Sequence, residues 1–213
     1  MASRSVTIVM KITRNQIDEL DKIYRINLIN GVAGYKSAFL AGTKSQRGVE
    51  NVAIFGSVFH LSSNPPALGM MFRPATVPRN TLKNILDTQH YTLNHIQQDQ
   101  IPDAHHTAAK YPEGVSEFGF TNLESEYLDG FSAPFVKGCP IKIGLTFAEK
   151  HKMEIKESII LIGKIQVIYL DDSMLKEDGF VNLSEGNLAG LNGLDGYFES
   201  KFIRRMPYQR PKK

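Results

Sequence analysis

Asn51-Val-Ala-Ile-Phe-Gly-Ser57, followed by Asn64-Pro-Pro-Ala-Leu68 and Arg79-Asn-Thr-Leu-Lys-Asn-Ile85, reads as strand, turn, strand and then the start of a helix. Pro65-Pro66 interrupts a strand expected over 51–61, and residues 67–72 are apolar enough for a buried strand. Pro78 and the segment 79–86 predict a short helix, with Asn80 or Thr81 near its cap. Small polar groups (Asn51, Ser57, Thr81) and cations (Arg73, Arg79) fall where these elements meet. A helix start is a natural anion site, because its first N–H groups have no partner within the helix. Ser57 is in phase with Asn51, Ala53 and Phe55 on the odd-numbered face of the expected strand. That puts Asn51 and Ser57 on one side, which suits one elongated ligand. The plainer alternative is that Thr81 only caps its helix while Asn51 and Ser57 satisfy turn and edge groups.

Working outward, residues 6–10 read as a short strand or an ordered arm. Thr13-Arg-Asn-Gln16 has capping-box spacing, and Ile17, Leu20, Tyr24 and Leu28 follow at helical spacing until Gly31 and Gly34. A strand of small residues is expected over 37–43, and Gly48 marks a hairpin. Residues 90–96 alternate as a strand. Residues 99–130 are polar and irregular, too long for a passive hairpin loop, and such segments often carry function. Strands are expected at 141–147, 158–169 and 196–203, the second being the strongest β signal. Many strands with few helices argue a barrel or sandwich with helices packed outside.

The chain has 213 residues with 42% hydrophobic and 22% charged, enough for one large domain or two small ones. No linker-like run divides it, so one domain over 1–213 is expected. The net charge of +3 includes a short basic end, Arg204-Arg205 and Arg210-Pro-Lys-Lys213, which does not make a nucleic-acid surface. No apolar stretch approaches the roughly 20 residues of a membrane helix. Met1-Ala-Ser-Arg-Ser5 leads into only a short apolar run, unlike a secretory leader, so a cytoplasmic protein is expected. The lone Cys139, beside Pro140, excludes a disulfide framework within the chain and reads as a buried structural thiol. His105-His106 and Glu117 lack a third spaced ligand, so no metal site is expected. Gly186-Asn-Leu-Ala-Gly190-Leu-Asn-Gly193 has the wrong glycine spacing for a dinucleotide fingerprint.

Gly34-Tyr-Lys-Ser-Ala38, Gly42-Thr43, Asn51-Val-Ala-Ile-Phe55, Asn64-Pro-Pro66, Thr81-Leu-Lys-Asn-Ile85, Tyr91-Thr-Leu-Asn94, Ala133-Pro-Phe-Val136 and Gly163-Lys-Ile165 run in an order that resembles the flavin reductase-like family. The resemblance covers residues 25–205. It implies a mainly β fold, a split β-barrel of Greek-key type with a few peripheral helices, usually a homodimer holding FMN near the dimer interface. It implies NAD(P)H as a transient substrate that reduces the flavin, with electrons passing on to an acceptor. The rival is a flavin-binding carrier, store or sensor without turnover.

By resemblance, Lys36, Ser37, Ala38, Leu40, Gly42 and Thr43 on one strand and Asn51, Val52, Ala53 and Ser57 on the next line the flavin. Arg73, Arg79, Asn80 and Thr81 lie near its phosphate, with the two arginines as competing partners. A phosphate dianion calls for charge-assisted donors, and an isoalloxazine ring for an apolar slot. Tight strand packing accounts equally for the small residues. His106 is the candidate for a donor or gate at the reacting face, with a surface hydrogen bond as the alternative.

Overall fold

The computed structural model describes residues 10–74 and 80–211, so Arg79, Pro78 and nearly all of the expected strand or arm at 6–10 lie outside the described residues. The capping box forms as its spacing predicts. The Thr13 N–H donates to Gln16 Oε1 at 2.8 Å, and Thr13 Oγ1 accepts from the Gln16 N–H. The expected single helix is two. Helix α1 (Arg14–Glu19) stops at extended Leu20, and Asp21 Oδ1 accepts from the Ile23 and Tyr24 N–H groups to start α2 (Lys22–Val32). A carboxylate in mid-run offered a second cap, and the chain used it. Neither helix has a buried residue.

Strand β1 (Lys36–Ser37) leads into β2 (Phe39–Lys44) and β3 (Glu50–Phe55). The strand expected through Leu61 breaks at Gly56-Ser57, and a new one, β4 (Val58–Ser63), pairs with β5 (Pro66–Phe72). Helix α3 (Asn80–Thr88) and β6 (His90–His95) follow. The segment expected to be irregular contains α4 (Ile101–His106), so His105 and His106 end a helix. Short strands β7 (Ser125–Glu126) and β8 (Phe135–Val136) pair with each other. The two longest strands, β9 (Ile141–Lys152) and β10 (Ile159–Leu170), pair along their whole length. Two short strands complete the described chain: β11 (Ala189–Asn192), which was not foreseen, and β12 (Gly196–Glu199), which is shorter than expected.

Seven strands form one antiparallel sheet in the order β3-β2-β6-β9-β10-β5-β4. Its two edge strands, β3 and β4, are consecutive in the chain. Laid flat, such a sheet would hold them roughly 29 Å apart, six spacings of about 4.8 Å. The Gly56-Ser57 link reaches at most about 11 Å between Phe55 and Val58. The sheet therefore curls until its edges meet at this corner, giving a barrel split along one side. The Phe55 ring meets that of Phe72 on β5 with centroids 5.1 Å apart.

Strand β2 is buried on both faces, as its two-residue period allows. Phe39 and Ala41 join one core cluster with Met70, Leu93, Leu145 and Leu161. Ala38 and Leu40 join a second with Val52, Ile96, Val136 and Leu191. Each large side chain so buried contributes about 1.5–3 kcal/mol of transfer free energy. Cys139 is buried against Gln100, and burial pushes its thiol up to about 12, in keeping with a structural role.

Candidate functional site

Thr43 and Asn51 face each other across β2 and β3. Thr81 and Asn84 stand three residues apart on α3, hence on one face of it. The two pairs interlock: Asn51 Nδ2 donates to Thr81 Oγ1 at 3.1 Å, and Asn84 Nδ2 donates to Thr43 Oγ1 at 3.1 Å. All four side chains are buried. An unmatched amide there would cost about 1–3 kcal/mol, so the bonds pin the first turn of α3 against β3. Thr81 Oγ1 accepts in this bond, and its own proton has no acceptor among the described residues.

A cavity of about 660 Å³ opens beside this turn. It gathers Lys36, Asn51, Ala53, Ser57, Arg73, Asn80 and Thr81 from the expected set. Ser57 lies in the corner between strands, not in phase on β3, yet it still reaches the cavity with Asn51. The others are placed elsewhere. Ser37, on β1, pairs with Gly190 of β11 in a separate three-stranded sheet of order β1-β11-β12. Ala38, Leu40 and Val52 lie in the second core cluster. At Gly42 a Cβ would collide with the Pro134 carbonyl oxygen, so glycine there serves close packing. Thr43 holds Asn84. His106 does not line the cavity, whereas His105 does.

Ile54, Phe55, Leu191 and Leu194 supply an apolar wall. A further part of the lining comes from the segment after α4, residues 107–113, with Glu117. The sequence singled out Ile54 and Phe55 in the opening stretch and the polar segment with its histidines and Glu117, but residues 108–113 and Leu194 did not stand out individually. Thr107 and Glu117 attach the segment to the edge of β3, where Thr107 Oγ1 accepts the Ile54 N–H at 2.9 Å and Glu117 Oε2 the Val52 N–H at 3.1 Å. Burial holds the Glu117 carboxyl above its ordinary range, against the lowering effect of its own backbone N–H and that of Val52.

Lys36, Arg73 and Lys110 line the cavity with no carboxylate in ion-pair range among the described residues. Arg73 Nη2 instead donates to Asn30 Oδ1 of α2 at 2.7 Å. Three cations against Glu113 and Glu117 favour an anionic ligand. His105 Nδ1 is hydrogen-bonded to Tyr197 Oη at 3.0 Å, and His106 Nε2 to Tyr111 Oη at 2.7 Å. Burial, with Asp195 nearby, pushes the Tyr197 hydroxyl up to about 12. Among the described residues no group of three His, Cys, Asp or Glu side chains is placed to hold a metal ion, and no helix is long and apolar enough to cross a membrane.

Residues 36–187 match the family model described as flavin reductase like domain, and the chain belongs to the flavin reductase-like family. A solved protein of Shewanella frigidimarina NCIMB 400, described as having a split barrel domain, superposes with a TM-score of 0.91 at 38% identity, covering 94% of this chain and all of that one. Nitrilotriacetate monooxygenase component B from Bacillus cereus shares the fold with a TM-score of 0.79 at 17% identity, over 94% of this chain and all of the other. An FMN-binding protein from Thermus thermophilus, solved with bound 1-cyclohex-2-enone, does so with a TM-score of 0.68 at 17% identity, over 82% and 91% of the two chains. The curled seven-stranded sheet is thus the mainly β split barrel that the resemblance implied.

Proposed function

We propose that this protein binds FMN and acts as an NAD(P)H-dependent flavin oxidoreductase that delivers electrons to an acceptor. The supporting observation is the meeting, in one cavity, of the first turn of α3, an arginine with no carboxylate partner among the described residues and an apolar wall. The residues fit the cofactor by their chemistry. Arg73, Asn80 and Thr81 offer charge, amide and hydroxyl to a phosphate, with Arg79 as a further candidate. Ile54, Phe55, Leu191 and Leu194 offer the slot for a planar ring, and the volume lies within the usual range for small-ligand sites. When bound, the flavin supplies hydride acceptance and electron storage.

The chain's own residues bind and orient. Thr81, fixed by Asn51, holds its hydroxyl at the helix start, and Lys36 adds positive charge to the cavity. Ser37, Ala38, Leu40, Gly42, Thr43 and Val52 support the lining from behind. His106 acts on the cavity through Tyr111. NAD(P)H is a transient partner. The protomer is one domain, works as a homodimer and resides in the cytoplasm.

A second reading, a flavin carrier without turnover, is favoured by residues 108–113, which already form one wall of the cavity. Anaerobic stopped-flow mixing of the oxidised FMN-loaded protein with NADH or NADPH separates the two. Bleaching of the flavin band at a rate that saturates with nucleotide is the expected result. Reduction by dithionite but by neither nucleotide would establish the carrier instead.

A further inference from the structure

We infer that residues 108–116 form a hinged wall of the cavity, and that Tyr111 is the latch holding it shut. The inference rests on the flavin reading only in naming what passes the gate.

Both ends of the segment are fixed. Ala104 and Thr107 are buried, and Thr107 Oγ1 donates to the Ala104 carbonyl at 2.7 Å while accepting the Ile54 N–H. Glu117 is buried and takes the Val52 N–H. Val52 and Ile54 are alternate residues of an edge strand, so these N–H groups point away from β2 and have no strand to pair with. The two side chains replace that strand.

Between the anchors, the backbone hydrogen bonds among the described residues are all local. The Ala108 N–H donates to the His105 carbonyl, Ala109 to His106, and Val115 to Pro112. Among the described residues no backbone hydrogen bond joins 108–116 to the sheet. Residues 108–110 and 112–114 are exposed. Gly114 has φ +84° with open space around its Cβ position, a backbone setting that suits a hinge. Yet six consecutive residues, 108–113, line the cavity.

Tyr111 provides the tie. Its ring stacks on Phe120 with centroids 4.7 Å apart and planes at 24°, and its hydroxyl bonds His106 Nε2 at 2.7 Å. An ion pair from Glu113 to Lys83 at 3.8 Å is exposed on both sides and contributes little. Segments with so few contacts open at far lower cost than the whole fold. His106 therefore has a role without touching the cavity: it positions Tyr111.

Two readouts test this. Trypsin cleavage after Lys110 reports opening, with cleavage after Lys201 in the exposed C-terminal tail as internal reference. Tyr111→Phe removes the hydroxyl bond and keeps the ring. It should speed cleavage after Lys110 roughly fivefold, the effect of losing about one hydrogen bond. His106→Ala should match it, and the double variant should go no further. With FMN as probe, Tyr111→Phe should raise the association and dissociation rates together and leave Kd within about twofold, because a latch on both states shifts both rates. Unchanged cleavage after Lys110 in both Tyr111→Phe and Tyr111→Ala would overturn the latch. A rise in dissociation alone, with Kd weakening in step, would overturn it in favour of a direct ligand contact. If the unsubstituted protein binds no FMN, the cofactor reading fails while the trypsin comparison still decides the latch.

Discussion

Asn51 Nδ2 donates to Thr81 Oγ1 at 3.1 Å, so a side chain of the barrel edge fixes the hydroxyl that stands at the start of α3. Removing that hydroxyl has two consequences. Thr81→Val leaves the Asn51 amide buried and unmatched and should cost about 1–3 kcal/mol in urea unfolding. It should also weaken FMN binding. Ser62→Ala removes a hydroxyl that accepts only the Asn64 N–H, away from the cavity, and should stay within about 0.5 kcal/mol with FMN affinity unchanged. Comparable dissociation constants for the two variants would reduce Thr81 to a packing role.

Arg73 carries the test of the phosphate assignment. Titration of apo-protein should show FMN bound more tightly than riboflavin by about 1.5–3 kcal/mol, the range for a charge-assisted contact. Arg73→Ala should erase most of that difference while changing riboflavin affinity little. Equal affinities for the two flavins in the unsubstituted protein would remove the phosphate from this site.

His95 should make the fold acid-sensitive. It is buried with its ring 3.8 Å from that of Phe39, and burial lowers its imidazole from 6.5 to about 4. Between those values the unfolded chain binds the proton that the folded one refuses. Stability therefore rises with pH through this window and falls as pH drops below 6.5, by on the order of 3 kcal/mol at pH 4. Glu117 acts in the opposite sense: its raised carboxyl favours the fold at low pH, and that contribution is lost as pH rises through its folded value. Urea midpoints from pH 4 to 7.5 should fall less steeply toward acid in His95→Phe than in the unsubstituted protein. Parallel curves would show that His95 titrates normally.

Helix α2 points to self-association. It buries none of its eleven residues, and Ile23, Tyr24, Ile29 and Val32 are exposed. A helix of this length is marginal without a packed face. Light scattering at micromolar concentration should give twice the protomer mass, and Ile29→Glu should raise the dimer dissociation constant at least about tenfold. A monomer that still binds FMN tightly would exclude the dimer.

Local chemistry was legible in the residues themselves. The Thr13–Gln16 capping box, the helix after Pro78, the alternation of residues 90–96 and the β-branched run of β10 all depend on neighbours a few positions apart. Order and spacing of short segments carried the family and, with it, the split barrel. Contacts between distant positions were not legible. Nothing near Gly42 announces the Pro134 carbonyl that excludes a side chain there. Nothing near Val52 or Ile54 announces Glu117 or Thr107 as the partners of an edge strand. A two-residue link at Gly56-Ser57 could be read as a turn, but only the strand order shows that it joins the two edges of one sheet and so curls it. The sequence alone determined which residue types lie at the helix start and in the strands. The tertiary structure decided which of them share a cavity, because burial and hydrogen-bond partnership depend on which distant strand arrives alongside.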